Sequence, residues 1–172
     1  MKTNMRSEMK FQEDYAYPAA FDRIWQMYQD PDYTVKRLAA AHLDDAQVQV
    51  KGDDSKFRVE VSALIPASDL PSVAQRFVKS DVQVTLVEEW TRSGTDAATG
   101  TSQIVAKGAP VSFTSQSTLT GAGNETQRSM SGDVKVSIPL VGGRIEKEAV
   151  KYVPRLVQGE LDASSVWLEQ HA

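Results

Sequence analysis

The chain has 172 residues, which suits one domain with a sizeable core. A net charge of −4 without any Lys/Arg cluster argues against a nucleic-acid partner, whose phosphates need a concentrated basic surface. Cysteine is absent, which excludes disulfides and thiolate metal sites. No stretch near the start has the apolar core of a signal peptide, and none approaches a membrane span. A cytoplasmic location is therefore expected, without stable membrane insertion. Residues 1–8 read as a flexible polar lead and residues 9–172 as a single domain.

Residues 9–17 alternate loosely, with Met9, Phe11, Tyr15 and Tyr17 on one parity, and predict a first strand. Pro18 stops it and suits a helix start. Phe21, Ile24, Trp25 and Tyr28 form a helical stripe over residues 19–29, ended by the turn signal Asp30-Pro31-Asp32. A second short helix follows, with Val35, Leu38, Ala39 and His42 on one face. Residues 46–51 and 56–65 alternate on either side of Gly52-Asp53-Asp54 and predict a hairpin. Residues 66–71 break the pattern, and residues 71–78 suggest one or two helical turns. A strand resumes over residues 81–92, with Val82, Val84, Leu86, Glu88 and Trp90 on one side. Residues 93–100 read as a turn-rich loop. Two strands over residues 101–107 and 111–120 are split by Gly108-Ala109-Pro110. After a turn at residues 121–124, the last strand spans residues 125–138, with Met130, Val134, Val136 and Ile138 toward one face. Gly132 within it signals a bulge or a close backbone contact.

That strand leads through Pro139 and the pair Gly142-Gly143, read as a hinge, into a helical pattern ending near Gln170, roughly seven turns long. One apolar stripe runs through Ile145, Ala149, Tyr152, Leu156, Gly159, Ala163 and Trp167, a second through Val150, Val153, Val157, Leu161 and Leu168. Pro154 predicts a bend rather than a stop, since the spacing continues beyond it. Antiparallel hairpins with one apolar face need a cover, and this helix is the only element long enough. The expected class is α+β: a curved antiparallel sheet of about six to seven strands wrapped around a long C-terminal helix, with two short helices after the first strand.

This order resembles the helix-grip fold of the START/SRPBCC superfamily, which includes birch pollen allergen-like proteins and polyketide cyclases. A closer resemblance is to an uncharacterised actinobacterial domain-of-unknown-function family within it. The matching segments are Tyr-Ala-Tyr-Pro-Ala-Ala-Phe-Asp-Arg-Ile-Trp over residues 15–25, Asp30-Pro31-Asp32-Tyr33, Leu70-Pro71 before Arg76-Phe77-Val78, and Glu88-Glu89-Trp90. Gly108-Ala109-Pro110 and Ile-Pro-Leu-Val-Gly-Gly-Arg-Ile-Glu over residues 138–146 complete the set. The resemblance implies a cavity between sheet and C-terminal helix that takes apolar ligands. It brings no catalytic residues and no cofactor.

Glu88 shares the parity of Val82, Val84, Leu86 and Trp90, so it points a carboxylate at the cavity unless a bulge flips the parity. A carboxylate placed there needs a partner, a water or a raised pKa. Trp90, Tyr152 and Phe113 either line a ligand site or fill the core. Ser115 and Ser117 share a face with Phe113 and Leu119; they leave room for a ligand or a water, or face solvent. Ala149 and Leu156 are the helix residues expected at the same cavity. His42 most simply ends the second helix, His171 frays with the terminus, and no metal-ligand spacing is present. Arg58, Glu60, Lys107 and Lys135 read as the outer sheet face; Arg144, Glu146, Lys147, Glu148 and Lys151 read as the exposed side of the long helix.

The favoured expectation is a non-catalytic binder or carrier of a small hydrophobic molecule of lipid, polyketide or isoprenoid type. An alternative is a cyclase or dehydratase using Glu88, then Tyr152, as its acid or base. A third is a structural or interaction protein with a closed core.

Overall fold

The computed structural model describes residues 9–172, so the expected lead over residues 1–8 lies outside the described residues. Seven antiparallel strands form one curved sheet in the order β1-β7-β6-β5-β4-β3-β2. They are β1 (Met9–Tyr17), β2 (Gln47–Gly52), β3 (Lys56–Ile65), β4 (Val82–Gly94), β5 (Ala97–Lys107), β6 (Val111–Ala122) and β7 (Glu125–Val136). From β2 to β7 the chain is a plain meander, and β1 pairs back onto β7. The two edge strands are thus consecutive in sequence. Helices α1 (Phe21–Gln29) and α2 (Pro31–Ala39) carry the chain between them. A short helix, α3 (Ser72–Gln75), interrupts the meander, and α4 (Gly142–Gln170) covers the sheet.

The helices follow from side-chain pattern and caps. On α1, Phe21, Ile24, Trp25, Met27 and Tyr28 are buried. The expected turn at residues 30–32 is at once the start of α2: Pro31 occupies its first turn and the Asp30 carboxylate accepts from the Asp32 N–H at 2.9 Å. The buried face of α2 is Tyr33, Thr34, Arg37 and Leu38, which leaves Val35 on the solvent side. His42 lies beyond that helix in a turn, at φ 62°.

Three local expectations are corrected. The loop foreseen over residues 93–100 is a tight hairpin: β4 runs to Gly94, β5 starts at Ala97, and a bulge falls between Arg92 and Gly94. Gly100 is not a breaker; a Cβ there would lie 2.5 Å from the Trp90 ring, so glycine lets the indole lie flat on β5. The hinge before α4 is not at Gly142-Gly143, which form its first turn. The left-handed residue is Leu140, at φ 70°, and its side chain is fully exposed. Gly132 shows the close approach without the bulge: its register with Phe11 and Ser115 is regular, and a Cβ would meet the Thr114 carbonyl at 2.3 Å.

Two apolar clusters result. One joins α1 and α2 to β3 and β4 through Trp25, Phe57, Tyr28 and Trp90, and takes in Ala163 and Trp167 of α4. The other joins the first half of α4 to β1 and β7 through Phe11, Val134, Ile145 and Val153. Pro154 interrupts neither the helix nor the packing. At the far end the Trp167 indole donates to the Asp30 carboxylate at 2.7 Å, locking α4 to the start of α2. His171 is not frayed: its ring stacks on Trp167 at 4.0 Å. Glu146, expected at the surface, is buried and accepts the Val136 N–H at 2.9 Å.

Leu140 carries the strain of a β-carbon in the left-handed region, with no packing to offset it. Leu140→Gly is expected to raise unfolding stability by about 1 kcal/mol in urea titration, with an unchanged m-value.

Candidate functional site

A single cross-strand row explains where space opens beneath α4. Reading across the sheet from β3 to β1, the paired residues are Val59, Glu88, Ser102, Ser115, Gly132 and Phe11. All six point to the helix side. At its centre the row offers Ser102 and Ser115 where the row on one side offers Ile104 and Phe113. Small side chains in the sheet cannot reach α4, which packs mainly on β7, β1 and α2. The gap is a cavity of about 220 Å³. Its apolar wall includes Val61, Leu86, Ile104, Met130 and Val157.

Its polar end is a buried ion network. Arg37 on α2 clamps Glu88 on β4 through two bonds, Nη2 to Oε2 at 2.8 Å and Nη1 to Oε1 at 3.1 Å. Arg37 Nη1 also donates to Glu160 Oε1 on α4 at 2.8 Å. The other Glu160 oxygen accepts from Arg128 Nη1 on β7 at 3.0 Å and from the Tyr15 hydroxyl at 2.7 Å. Arg128 further donates to the Tyr28 hydroxyl at 2.7 Å and to Ser117 Oγ at 3.1 Å. Its guanidinium lies 5.3 Å from the Trp90 ring centroid and 5.6 Å from that of Tyr15, a cation–π enclosure. The side chains of Arg37 and Glu88 are each 5% exposed, that of Arg128 2%, and that of Glu160 17%.

Burial opposes charge on Arg37, Arg128 and Glu160, and their partners decide the outcome. For Arg37, burial lowers its proton affinity, yet Glu88 and Glu160 outweigh it and keep the guanidinium charged. For Glu160, burial pushes upward, but Arg128 and Arg37 together hold its carboxyl below the ordinary range. Burial raises the pKa of Tyr28 and Tyr17 well above the usual phenol value, so their shared 2.6 Å hydrogen bond is between neutral hydroxyls.

Of the residues expected at a ligand site, Glu88, Phe113, Ser115 and Leu156 line the cavity. Trp90 and Ser117 instead hold Arg128, one by its ring face and one by its hydroxyl. Ala149 packs in the cluster with Phe11 and Val153. Tyr152 is 51% exposed beneath the Arg155 guanidinium and does not line the cavity. The apolar face of α4 is centred on Val153 and Val157 rather than on Tyr152, because the helix leans toward β7 and β1.

Sequence reasoning missed Arg37, Arg128 and Glu160. Each had a positional signal. Arg37 stands one turn after Tyr33 on the buried stripe of α2. Arg128 shares strand parity with Thr126 and Met130. Glu160 stands between Val157 and Ala163 on α4. A charged residue on an apolar stripe is the mark of a buried ion pair.

Comparison with known proteins follows this geometry. The family model described as "Protein of unknown function (DUF2505)" matches residues 12–168. An uncharacterized protein of Mycobacterium tuberculosis, Rv0481c, is 22% identical over 162 residues, 88% of this chain and 92% of the relative. Among solved structures, a START superfamily protein from Mycobacterium smegmatis has a TM-score of 0.52 at 11% identity, covering 92% of this chain and 98% of that one. Norcoclaurine synthase from Thalictrum flavum, in complex with dopamine and hydroxybenzaldehyde, has a TM-score of 0.52 at 14% identity, covering 96% and 89%.

Removing one member of the network leaves its partner charged and dry. Arg37→Met is expected to lower unfolding stability by about 3–5 kcal/mol, and the double change Arg37→Met with Glu88→Leu to recover most of that loss in urea titration. Glu160 adds a pH dependence. Its folded pKa is depressed, so its contribution is present above the ordinary value of 4.5 and is lost as pH falls through the lower folded value. Glu160→Gln should therefore flatten the stability–pH curve between pH 4.5 and that lower value.

Proposed function

This chain belongs to the DUF2505 family and has the START-superfamily fold, and from that premise we propose that it binds a small hydrophobic molecule between the sheet and α4. The observation that carries the reading is the cavity itself. Aliphatic side chains from four strands and α4 surround a space that Ser102 and Ser115 keep open, with an ion-paired cluster at one end. Such a mostly apolar enclosure with a few convergent polar groups is the general form of a small-molecule site. The mouth lies beside Leu156 and Leu43, where α4 is half exposed.

The geometry favours holding a ligand over transforming it. A cyclase or dehydratase needs a group free to exchange a proton. Glu88 is clamped by both Arg37 nitrogens, and two arginines keep Glu160 ionised. Tyr152 stands outside the cavity. Ser115 has no base beside it among the described residues.

A neutral apolar probe is expected to bind, either toluene, followed by calorimetric titration, or the larger fluorophore N-phenyl-1-naphthylamine, followed by its brightening. Mass spectrometry of an organic extract should reveal any molecule carried through purification. Ala63→Phe places a ring in the cavity wall and should abolish that binding while circular dichroism stays unchanged. A wild-type protein that binds neither probe and releases no apolar molecule contradicts the reading.

A further inference from the structure

The cavity also carries information about the class of molecule, and this inference rests on the binding function proposed above. Three observations converge. The first is size. A dry cavity of about 150 Å³ accommodates benzene. The present volume of 220 Å³ scales that to about nine non-hydrogen atoms, a single ring with a short substituent.

The second is charge. Arg37 and Arg128 face Glu88 and Glu160, and every one of the four is ion-paired. The cluster is neutral as built. A ligand carboxylate would add a third anion to two cations, and an ammonium a third cation to two anions, in a site with almost no water contact.

The third is hydrogen-bonding capacity left over. Ser115 Oγ and Arg37 Nε are both buried and have no partner among the described residues. Both residues line the cavity. A guanidinium Nε–H can only donate, and a serine hydroxyl can donate. A pure hydrocarbon would leave the Ser115 hydroxyl unsatisfied, whereas an oxygen acceptor on the ligand takes the hydrogen bond it offers.

We infer that the cavity selects an uncharged, one-ring molecule bearing a single acceptor oxygen, such as a carbonyl, which sits toward Ser115. Ser115 is the residue that discriminates such a ligand from a hydrocarbon of the same shape. The ring lies against Ile104, Phe113 and Val157 on the apolar side.

Acetophenone, isopropylbenzene and benzoate match one another in size and shape and differ only in polarity, so calorimetric titration of the three tests the assignment. Acetophenone is expected to bind about fivefold more tightly than isopropylbenzene. It should bind at least about tenfold more tightly than benzoate. Ser115→Ala should bring the acetophenone-to-isopropylbenzene affinity ratio close to one. Equal or tighter binding of isopropylbenzene, or tightest binding of benzoate, overturns the inference. So does a Ser115→Ala protein that keeps the preference. If none of the three binds while N-phenyl-1-naphthylamine does, the one-ring size limit is wrong and the ligand-binding function stands. If no probe binds, both fall together.

Discussion

The ion network of Arg37, Glu88, Glu160 and Arg128 ties α2, β4, α4 and β7 to one point in the interior. Desolvating these charges is expensive, and their mutual attraction offsets it only because nearly every oxygen and nitrogen has a partner. The network therefore adds little net stability compared with an apolar filling. What it adds is position. Glu160 must meet both arginines at once, which sets the rotation and axial placement of α4. Fourteen residues earlier, Glu146 accepts the Val136 N–H and fixes the other end of the same helix. The two carboxylates lie about 21 Å apart along the axis. Pro154, Val153, Leu156 and Val157 fall in the span between them, over the cavity.

The cavity follows from the same arrangement. A helix pinned at both ends cannot sink into the sheet to fill a gap. The side chains beneath it, Ser102 and Ser115, are too short to rise and meet it. Gly132 cannot be larger, because the Thr114 carbonyl and the Phe11 ring already occupy the position of a Cβ. Phe11 stacks on Phe113 at 5.2 Å and closes that end of the row. The aromatic cluster around Trp25, Tyr28 and Trp90 closes the other. The space left is small, with the Phe113 ring in its wall and the paired charges at its polar end.

Much of the fold was legible in the chain. The parity of Phe57, Val59, Val61 and Ala63 placed β3 within its observed limits, and that of Val82 to Trp90 oriented β4 correctly, Glu88 included. The stripes of Phe21 to Tyr28 and of Ile145 to Trp167 located α1 and α4. Errors arose where local chemistry had two outlets. Gly100 reads as a turn residue until the Trp90 ring is seen lying on it. Gly142-Gly143 reads as a hinge, while the chain turns at Leu140. Ser115 was legible as a small polar residue on an apolar face. Ser117, identical in type and parity, turned out to bind Arg128.

Periodicity along the chain by itself located most of the strands and the long helices and, for β3, β4 and α1, the faces they bury, because alternation and helical spacing are properties of consecutive residues. Which charges meet inside was decided only by tertiary structure. Arg37 and Glu88 are 51 residues apart, and Arg37 and Glu160 are 123 apart. No local pattern relates such positions. Their pairing depends on a helix axis and a strand register that exist only once the sheet has curved and α4 has docked. The cavity has the same origin, since it is the difference between where α4 is held and how far a row of small side chains can reach.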